Sequence, residues 1–379
     1  LVYNQEICNA GLGAGVACVK KIDMRFTETI FLTGFPGFIA GRLVERLAAE
    51  DTQFLLLVQP EFLDKAMREA EKIAAKTGTP PENFCLVAGD ITLPDLGMSA
   101  EDAEFVRSET TSVFHLAAVY DLAVKEGLAR KVNFEGTQNV NQFVRSIVNL
   151  RRYNYVSTCY VAGKRRGLIS ENELEHSAGF RNYYEETKYL AELEVEKLKS
   201  EMPVTIFRPS VVCGDSRTGE TAKYDGIYYL IKYLRKCPRL LSKVNIGNEK
   251  VELNLVPVDF VVEGMAALFK DERAVGKTIQ LADPNPLTTW ETFNAVANAL
   301  CGCRSIVTLP ERFTQWMLML PFMPAVSGLP HFGVPYFFIK QTYDTKISGE
   351  LLAPHNISCP PFHSYVKILC EFVEKHPEL

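Results

Sequence analysis

The chain has 379 residues, 46 acidic and 41 basic side chains, a net charge of −5, 47% apolar residues and 23% charged ones. This average balance excludes general disorder, a collagen-like repeat and a multi-span membrane protein. An acidic chain is also a poor general nucleic-acid binder, because phosphate affinity needs clustered positive charge.

Residues 1–23 precede the first methionine, Met24, and read as an upstream extension or a cloning remnant, set apart from the fold argument. The weakly apolar stretch 10–19 is followed by Lys20-Lys21, the reverse of the secretory-signal order, and is too short to span a bilayer. Gly11-Leu12-Gly13-Ala14-Gly15 is glycine-rich, but no strand precedes it, so it is set aside as a nucleotide turn.

From residue 29 the pattern becomes regular. Apolar runs of strand length fall at 29–33, 54–58, 84–87, 112–115, 153–157 and 204–208. Between them, 42–50, 63–76, 131–148 and 185–201 carry helical periodicity. Continuous apolar strands alternating with amphipathic helices predict an α/β fold, a doubly wound parallel sheet of Rossmann type. Residues 24–210 are expected to form this doubly wound domain, whose crevice is where such sheets bind NAD(P)-type ligands. Residues 211–379, where the alternation weakens, are expected to form a smaller C-terminal substrate-binding lobe interleaved with the last sheet elements.

The first strand runs into Thr33-Gly34-Phe35-Pro36-Gly37-Phe38-Ile39-Ala40. A small residue at 34 permits the tight turn, one at 37 lets the backbone approach a pyrophosphate, and one at 40 lets the helix pack on the strand. The helix N-terminus then offers free N–H groups to the phosphates. The second strand ends at Val58-Gln59-Pro60-Glu61. An acid there favours NAD and a base favours NADP. Gln59 does neither, and Arg42 and Lys65 are the nearest candidates for a 2′-phosphate.

Tyr184 and Lys188 stand four residues apart, on one face of a predicted helix. A neighbouring ammonium favours the phenolate, so the tyrosine is able to exchange a proton with a carbonyl or alcohol oxygen near neutral pH. Ser157 and Thr158 close the fifth strand, where a hydroxyl faces the ligand crevice of an open α/β sheet.

These motifs resemble the extended short-chain dehydrogenase/reductases. The matching residues are Thr33–Ala40, Gly89-Asp90-Ile91, His115-Leu116-Ala117-Ala118, Val132-Asn133 with Gly136-Thr137, Ser157-Thr158, Tyr184 with Lys188, and Arg208-Pro209-Ser210, in the family's order; Val256-Pro257-Val258-Asp259 resembles a distal feature. Within the family the chain looks like the branch of fatty-acyl-CoA reductases and thioester-releasing reductase domains (male-sterility type), on Tyr155–Gly163, Gly214-Asp215-Ser216, Thr218-Gly219 and Asp225-Gly226.

The resemblance implies a catalytic set of Thr158, Tyr184 and Lys188. It implies a cofactor set of Thr33, Gly34, Phe35, Pro36, Gly37, Phe38, Ile39, Gln59, Asp90, Ile91, Ala117, Ala118, Asn133, Pro209 and Ser210. Asp90 and Ile91 would border the adenine, and Pro209 and Ser210 the nicotinamide. The cofactor is NADP by preference, with NAD left open.

Hydride would pass between nicotinamide and a carbonyl or alcohol of a lipophilic substrate: an acyl thioester, a long-chain aldehyde or a ketone. That substrate is free or bound to coenzyme A or a carrier protein. The rivals are a sterol-type 3-hydroxy dehydrogenase, a nucleotide-sugar epimerase or dehydratase, and a nucleotide-sensing regulator.

Residues 313–339 contain no Asp, Glu, Lys or Arg, but prolines at 321, 324, 330 and 335 forbid a spanning helix. The block reads as core, as the lining or lid of a lipophilic pocket, or as peripheral membrane contact. Lys232, Arg235, Lys236, Arg239 and Lys243 form a basic run with no acid, either a solvated helix face or a site for coenzyme A phosphates or an acidic carrier. Lys164-Arg165-Arg166 is a second such candidate, or a polar turn.

The ten cysteines lack C-x-x-C or zinc-site spacing and read as reduced thiols of a cytoplasmic protein, with no metal expected. No transmembrane segment and no nucleic-acid partner are expected, and a homodimer is compatible with the reading.

Overall fold

The computed structural model describes residues 2, 3 and 26–378. The readings of the extension, the glycine-rich stretch 11–15, Cys8 and Cys18 lie outside the described residues, apart from a two-residue strand at Val2–Tyr3. The chain divides into two compact units. The first comprises the residues up to Ser157 with Arg181–Phe207 and Met265–Thr278; the second comprises Thr158–Phe180, Arg208–Gly264 and Ile279 onward.

A parallel sheet, most of it in the first unit, organises the fold. Its strands are β1 (Glu28–Thr33), β2 (Thr52–Val58), β3 (Phe84–Ala88), β4 (Ser112–His115), β5 (Arg152–Val156), β6 (Val204–Pro209) and β7 (Thr278–Leu281), in the order β3-β2-β1-β4-β5-β6-β7. Val2–Tyr3 pairs in parallel with β3 at the edge. β1, β2 and β4 are buried along nearly their whole length, as strands covered on both faces must be. Thr33 stands in register with Leu57 on one side and His115 on the other. The strand order reverses at β1 and β4, so their carboxyl ends border the crevice where such sheets bind ligands.

Four helices are needed to place the site: α1 (Phe38–Leu47), α2 (Leu63–Thr77), α3 (Gly136–Val144) and α4 (Tyr183–Leu198). Val140, Phe143 and Val144 of α3 and Ala191, Val195 and Leu198 of α4 pack on Phe31, Val113, Tyr153, Tyr155 and Ile206 of the sheet. Two local expectations need correction. The first helix begins at Phe38, directly after the extended Gly37, and ends at Leu47, rather than running over 42–50. The helix expected over 131–148 starts earlier, at Glu126, passes through a π-helical turn at Arg130–Glu135 into α3 and ends at Val144.

The second unit has three short parallel pairs: Gly167–Ile169 with Gln341–Tyr343, Val211–Cys213 with Leu255–Pro257, and Val244–Asn245 with Val307–Thr308. Its main core lies among α5 (Ile227–Arg235), α6 (Thr289–Cys301) and a C-terminal helix, α9 (Phe362–Lys375). α6 opens with a reciprocal capping box between Thr288 and Glu291.

The charge-free block forms α7 (Glu311–Leu318), α8 (Met323–Ser327) and a 3-10 segment, His331–Phe338. Leu318, Met323, Leu329 and Val334 turn inward together. Leu318, Met323 and Leu329 also line an apolar cavity with Tyr229, Tyr233 and Phe293. The inner face of the block is both packed core and cavity lining.

Candidate active site

The turn between β1 and α1 fits a phosphate group for steric reasons. Gly34 has φ +95°, a value that side chains rarely allow, and a Cβ there would stand 2.8 Å from the Ala117 backbone nitrogen. A Cβ on Gly37 would stand 2.7 Å from the Gly34 carbonyl oxygen. Both glycines let the turn close tightly ahead of the α1 N-terminus, where N–H groups and the helix dipole favour an anion. Ala40 is buried, in keeping with close packing of the helix.

A cleft of about 500 Å³ opens over this turn. Of the expected cofactor residues, Thr33, Gly34, Phe35, Pro36, Gly37, Gln59, Asp90, Ile91, Ala117 and Ala118 line it. Phe38 and Ile39 lie in the first turn of α1 and do not line it. Gln59 donates to Asp90 at 3.0 Å, and the Thr92 N–H donates to the other Asp90 oxygen at 2.8 Å. Partial burial works against the Asp90 charge, but these bonds and the nearby Lys131 hold its pKa below the usual value.

Lys65 and Glu61 also line the cleft at the Gln59 end, with Phe62, Val119 and Leu128. The last three were not foreseen. They come from segments after strands and from the approach to α3, where no periodicity singles out a residue.

Behind the cleft a hydrogen-bond chain connects the turn to α4. Thr33 Oγ1 lies 2.7 Å from His115 Nδ1, and His115 Nε2 lies 3.1 Å from Thr137 Oγ1. The single Thr137 hydroxyl proton goes to the Asn133 carbonyl at 2.7 Å. The histidine must therefore donate from Nε2 and accept from Thr33 at Nδ1. Burial, with a contribution from Lys188, lowers the His115 pKa to about 3, so the ring is neutral and structural. The Ala117 N–H completes Thr33 at 3.2 Å.

Asn133 sits in the π-helical turn. It accepts from the Val119 N–H at 2.8 Å and donates to Thr187 of α4 at 3.2 Å. It does not line the cleft, but it ties the cleft floor to the helix that carries the tyrosine and lysine.

On α4, Tyr184, Lys188 and Glu192 follow at intervals of four and are all buried. Asn182 caps the helix by accepting the Glu185 N–H at 3.0 Å. Lys188 donates to Tyr155 Oη and to the Val156 carbonyl, each at 2.8 Å. Burial lowers its pKa to about 7, and the Glu192 charge offsets part of that. Ser157 donates a short hydrogen bond to Glu192. Tyr184 meets the edge of Tyr120, with ring centroids 5.3 Å apart. Glu192 was missed by sequence reasoning, although its spacing from Lys188 repeats that of Lys188 from Tyr184.

Thr158, Pro209 and Ser210 belong to the second unit. Thr158 is buried and extended, and its oxygen accepts the Tyr160 N–H at 3.2 Å, which leaves its own proton available to an acceptor. Pro209 closes β6, and Ser210 donates to the Asn254 carbonyl at 2.9 Å. Cys159 is buried with its thiol 3.2 Å from the Arg208 carbonyl, a packing role. Arg165 pairs with Glu173, which absorbs part of the second basic candidate. Among the described residues no three His, Cys, Asp or Glu side chains gather as a metal site, and no helix is long and apolar enough to cross a membrane.

The profile of the male sterility protein family matches residues 32–265. Fatty acyl-CoA reductase wat of Drosophila melanogaster is 28% identical over 274 residues, which are 63% of this chain and 53% of that protein. Aldehyde reductase lnbA of Aspergillus flavus is 24% identical over 356 residues, 89% of this chain and 34% of that protein. The chain thus spans about half the length of one relative and about a third of the other.

Among solved structures, the terminal R domain from the myxalamid PKS-NRPS pathway has a TM-score of 0.78 at 24% identity, covering 93% of this chain and 92% of that one. A UDP-glucuronic acid 4-epimerase from Bacillus cereus, in complex with NAD, has a TM-score of 0.63 at 18% identity, covering 92% and 97%. These two likenesses establish the fold.

Proposed function

The chain belongs to the male sterility protein family, and from that premise we propose that it reduces a thioester-bound acyl group with NADPH, Tyr184 supplying the proton. Membership makes it an NAD(P)-dependent reductase of the extended short-chain dehydrogenase/reductase type. The observation that carries the proposal is the buried Tyr184–Lys188–Glu192 face of α4, a helix that Asn133 ties through Thr187 to Val119 in the lining of the glycine-bordered cleft.

The residues fit a dinucleotide. Gly34 and Gly37 would hold the pyrophosphate, Asp90 and Ile91 the adenine side, and Lys65 a 2′-phosphate beside Gln59. When bound, the nicotinamide supplies the hydride. Tyr184 gives its phenolic proton to the carbonyl oxygen as the carbonyl carbon is reduced. Lys188 stabilises the phenolate left behind. Thr158, whose proton is unspent, is assigned a second hydrogen bond to the same oxygen, and Pro209 and Ser210 the nicotinamide end. A reduced thioester then expels its thiol and leaves an aldehyde.

The thioester assignment rests on the relatives, a fatty acyl-CoA reductase and the terminal R domain of a PKS-NRPS pathway. The test is NADPH oxidation across acyl-CoAs, long-chain aldehydes, ketosteroids and nucleotide sugars. Turnover of acyl-CoAs or aldehydes is expected. Conversion of nucleotide sugars alone, detected in their products because epimerisation and dehydration consume no NADPH overall, would replace this reading with an epimerase or dehydratase.

A further inference from the structure

We propose that an outward patch of the second unit docks the protein on an anionic lipid surface. From Phe313 onward, α7 and α8 carry large apolar side chains on their outer as well as their inner sides. Leu318 and Met323 point into the core, while Phe313, Trp316, Met319, Phe322 and Val326 are exposed, Trp316 and Phe322 at 60% each. An outer helix face of this size normally carries charge. Here no charged residue interrupts 313–339.

The basic run borders the patch. Lys236 donates to the Val326 carbonyl at 2.6 Å, which fixes the end of α5 beside α8. Arg239 and Lys243 follow, both exposed. The Lys243 carbonyl accepts the Ile306 and Val307 N–H groups at 2.9 and 3.1 Å, and exposed Val307 stands in register with exposed Val244. Cations therefore stand between two sets of exposed apolar side chains. Glu311, the nearest acid, is engaged by Asn248 and Lys340.

Three features favour lipid over protein. The whole chain has a net charge of −5, yet exposed Lys236, Arg239 and Lys243 follow one another with no acid between them, which complements an anionic headgroup layer. The exposed aromatic and aliphatic side chains suit the headgroup–acyl boundary. The patch offers few hydrogen-bonding side chains, Gln315 and Trp316 among them, whereas a protein interface needs about one hydrogen bond per 100–200 Å².

The chain has two tryptophans, so Trp290→Phe in the full chain leaves Trp316 as the reporter. Vesicles of phosphatidylcholine, with and without phosphatidylglycerol, are the probe. The account expects flotation with the anionic vesicles only, a blue shift of Trp316 emission, and weakening by salt. Arg239→Gln and Lys243→Gln should each lower binding about fivefold, and Phe322→Ser should remove the blue shift. Flotation of the otherwise unaltered chain against Trp316→Ser gives the same decision should Trp290→Phe misfold. Unmoved Trp316 emission with anionic vesicles would overturn the proposal. So would a shift induced by an acidic acyl carrier protein and not by lipid, which would make the patch a protein interface. Neither result bears on the reductase reading.

Discussion

Lys188 is the residue whose environment makes the sharpest statement. Its pKa is near 7 in the folded chain and about 10.5 in an unfolded one, so the unfolded state binds more protons between those values. Stability should therefore rise with pH across that window, and Lys188→Met should flatten the rise in urea melts. Catalysis should respond in the opposite sense, because the ammonium that stabilises the Tyr184 phenolate is lost above about pH 7. Removing the Glu192 charge should lower the Lys188 pKa further. We expect Glu192→Gln to move the alkaline limb of kcat down by roughly one unit. A purely structural role for Glu192 would lower kcat at every pH and leave the limb in place. At the adenine end, Lys65→Glu should weaken NADPH and spare NADH in fluorescence titrations, since only the former carries the 2′-phosphate. Equal losses for both would remove Lys65 from cofactor selection.

At the scale of elements, the turn between β1 and α1 carries most of the cofactor argument. Gly34→Ala places a Cβ against the Ala117 backbone at a backbone angle that costs roughly 1–3 kcal/mol. It should lower Tm and weaken NADPH binding together, as calorimetry would show. Unchanged affinity would contradict the role given to this turn. The turn was legible because its glycines follow an apolar strand and open a helix. Six sheet strands were legible for the same reason, as buried apolar runs such as 112–115, which matches β4 residue for residue. β7, at Thr278–Leu281, was not, because Lys277 and Gln280 interrupt the apolar run. The π-helical turn was also invisible, since it keeps helical periodicity while shifting its hydrogen bonds. Asn133 was recovered from the family motif, and its bonds to Val119 and Thr187 required coordinates.

At the scale of the whole molecule, composition separated a globular chain from its competitors but did not distribute the apolar residues. Much of the 47% builds the doubly covered sheet, and the charge-free block divides into a packed inner face and an exposed outer one. That division depends on how α7 and α8 turn about Leu318 and Met323, which proline spacing alone does not determine. The central claim is a reductase whose proton comes from Tyr184. It is tested most directly by NADPH consumption and aldehyde formation with an acyl-CoA, measured for the unaltered chain and for Tyr184→Phe at matched cofactor saturation. The account predicts turnover that falls about 10²–10⁴-fold in the variant with NADPH affinity retained. Undiminished turnover in Tyr184→Phe would contradict it.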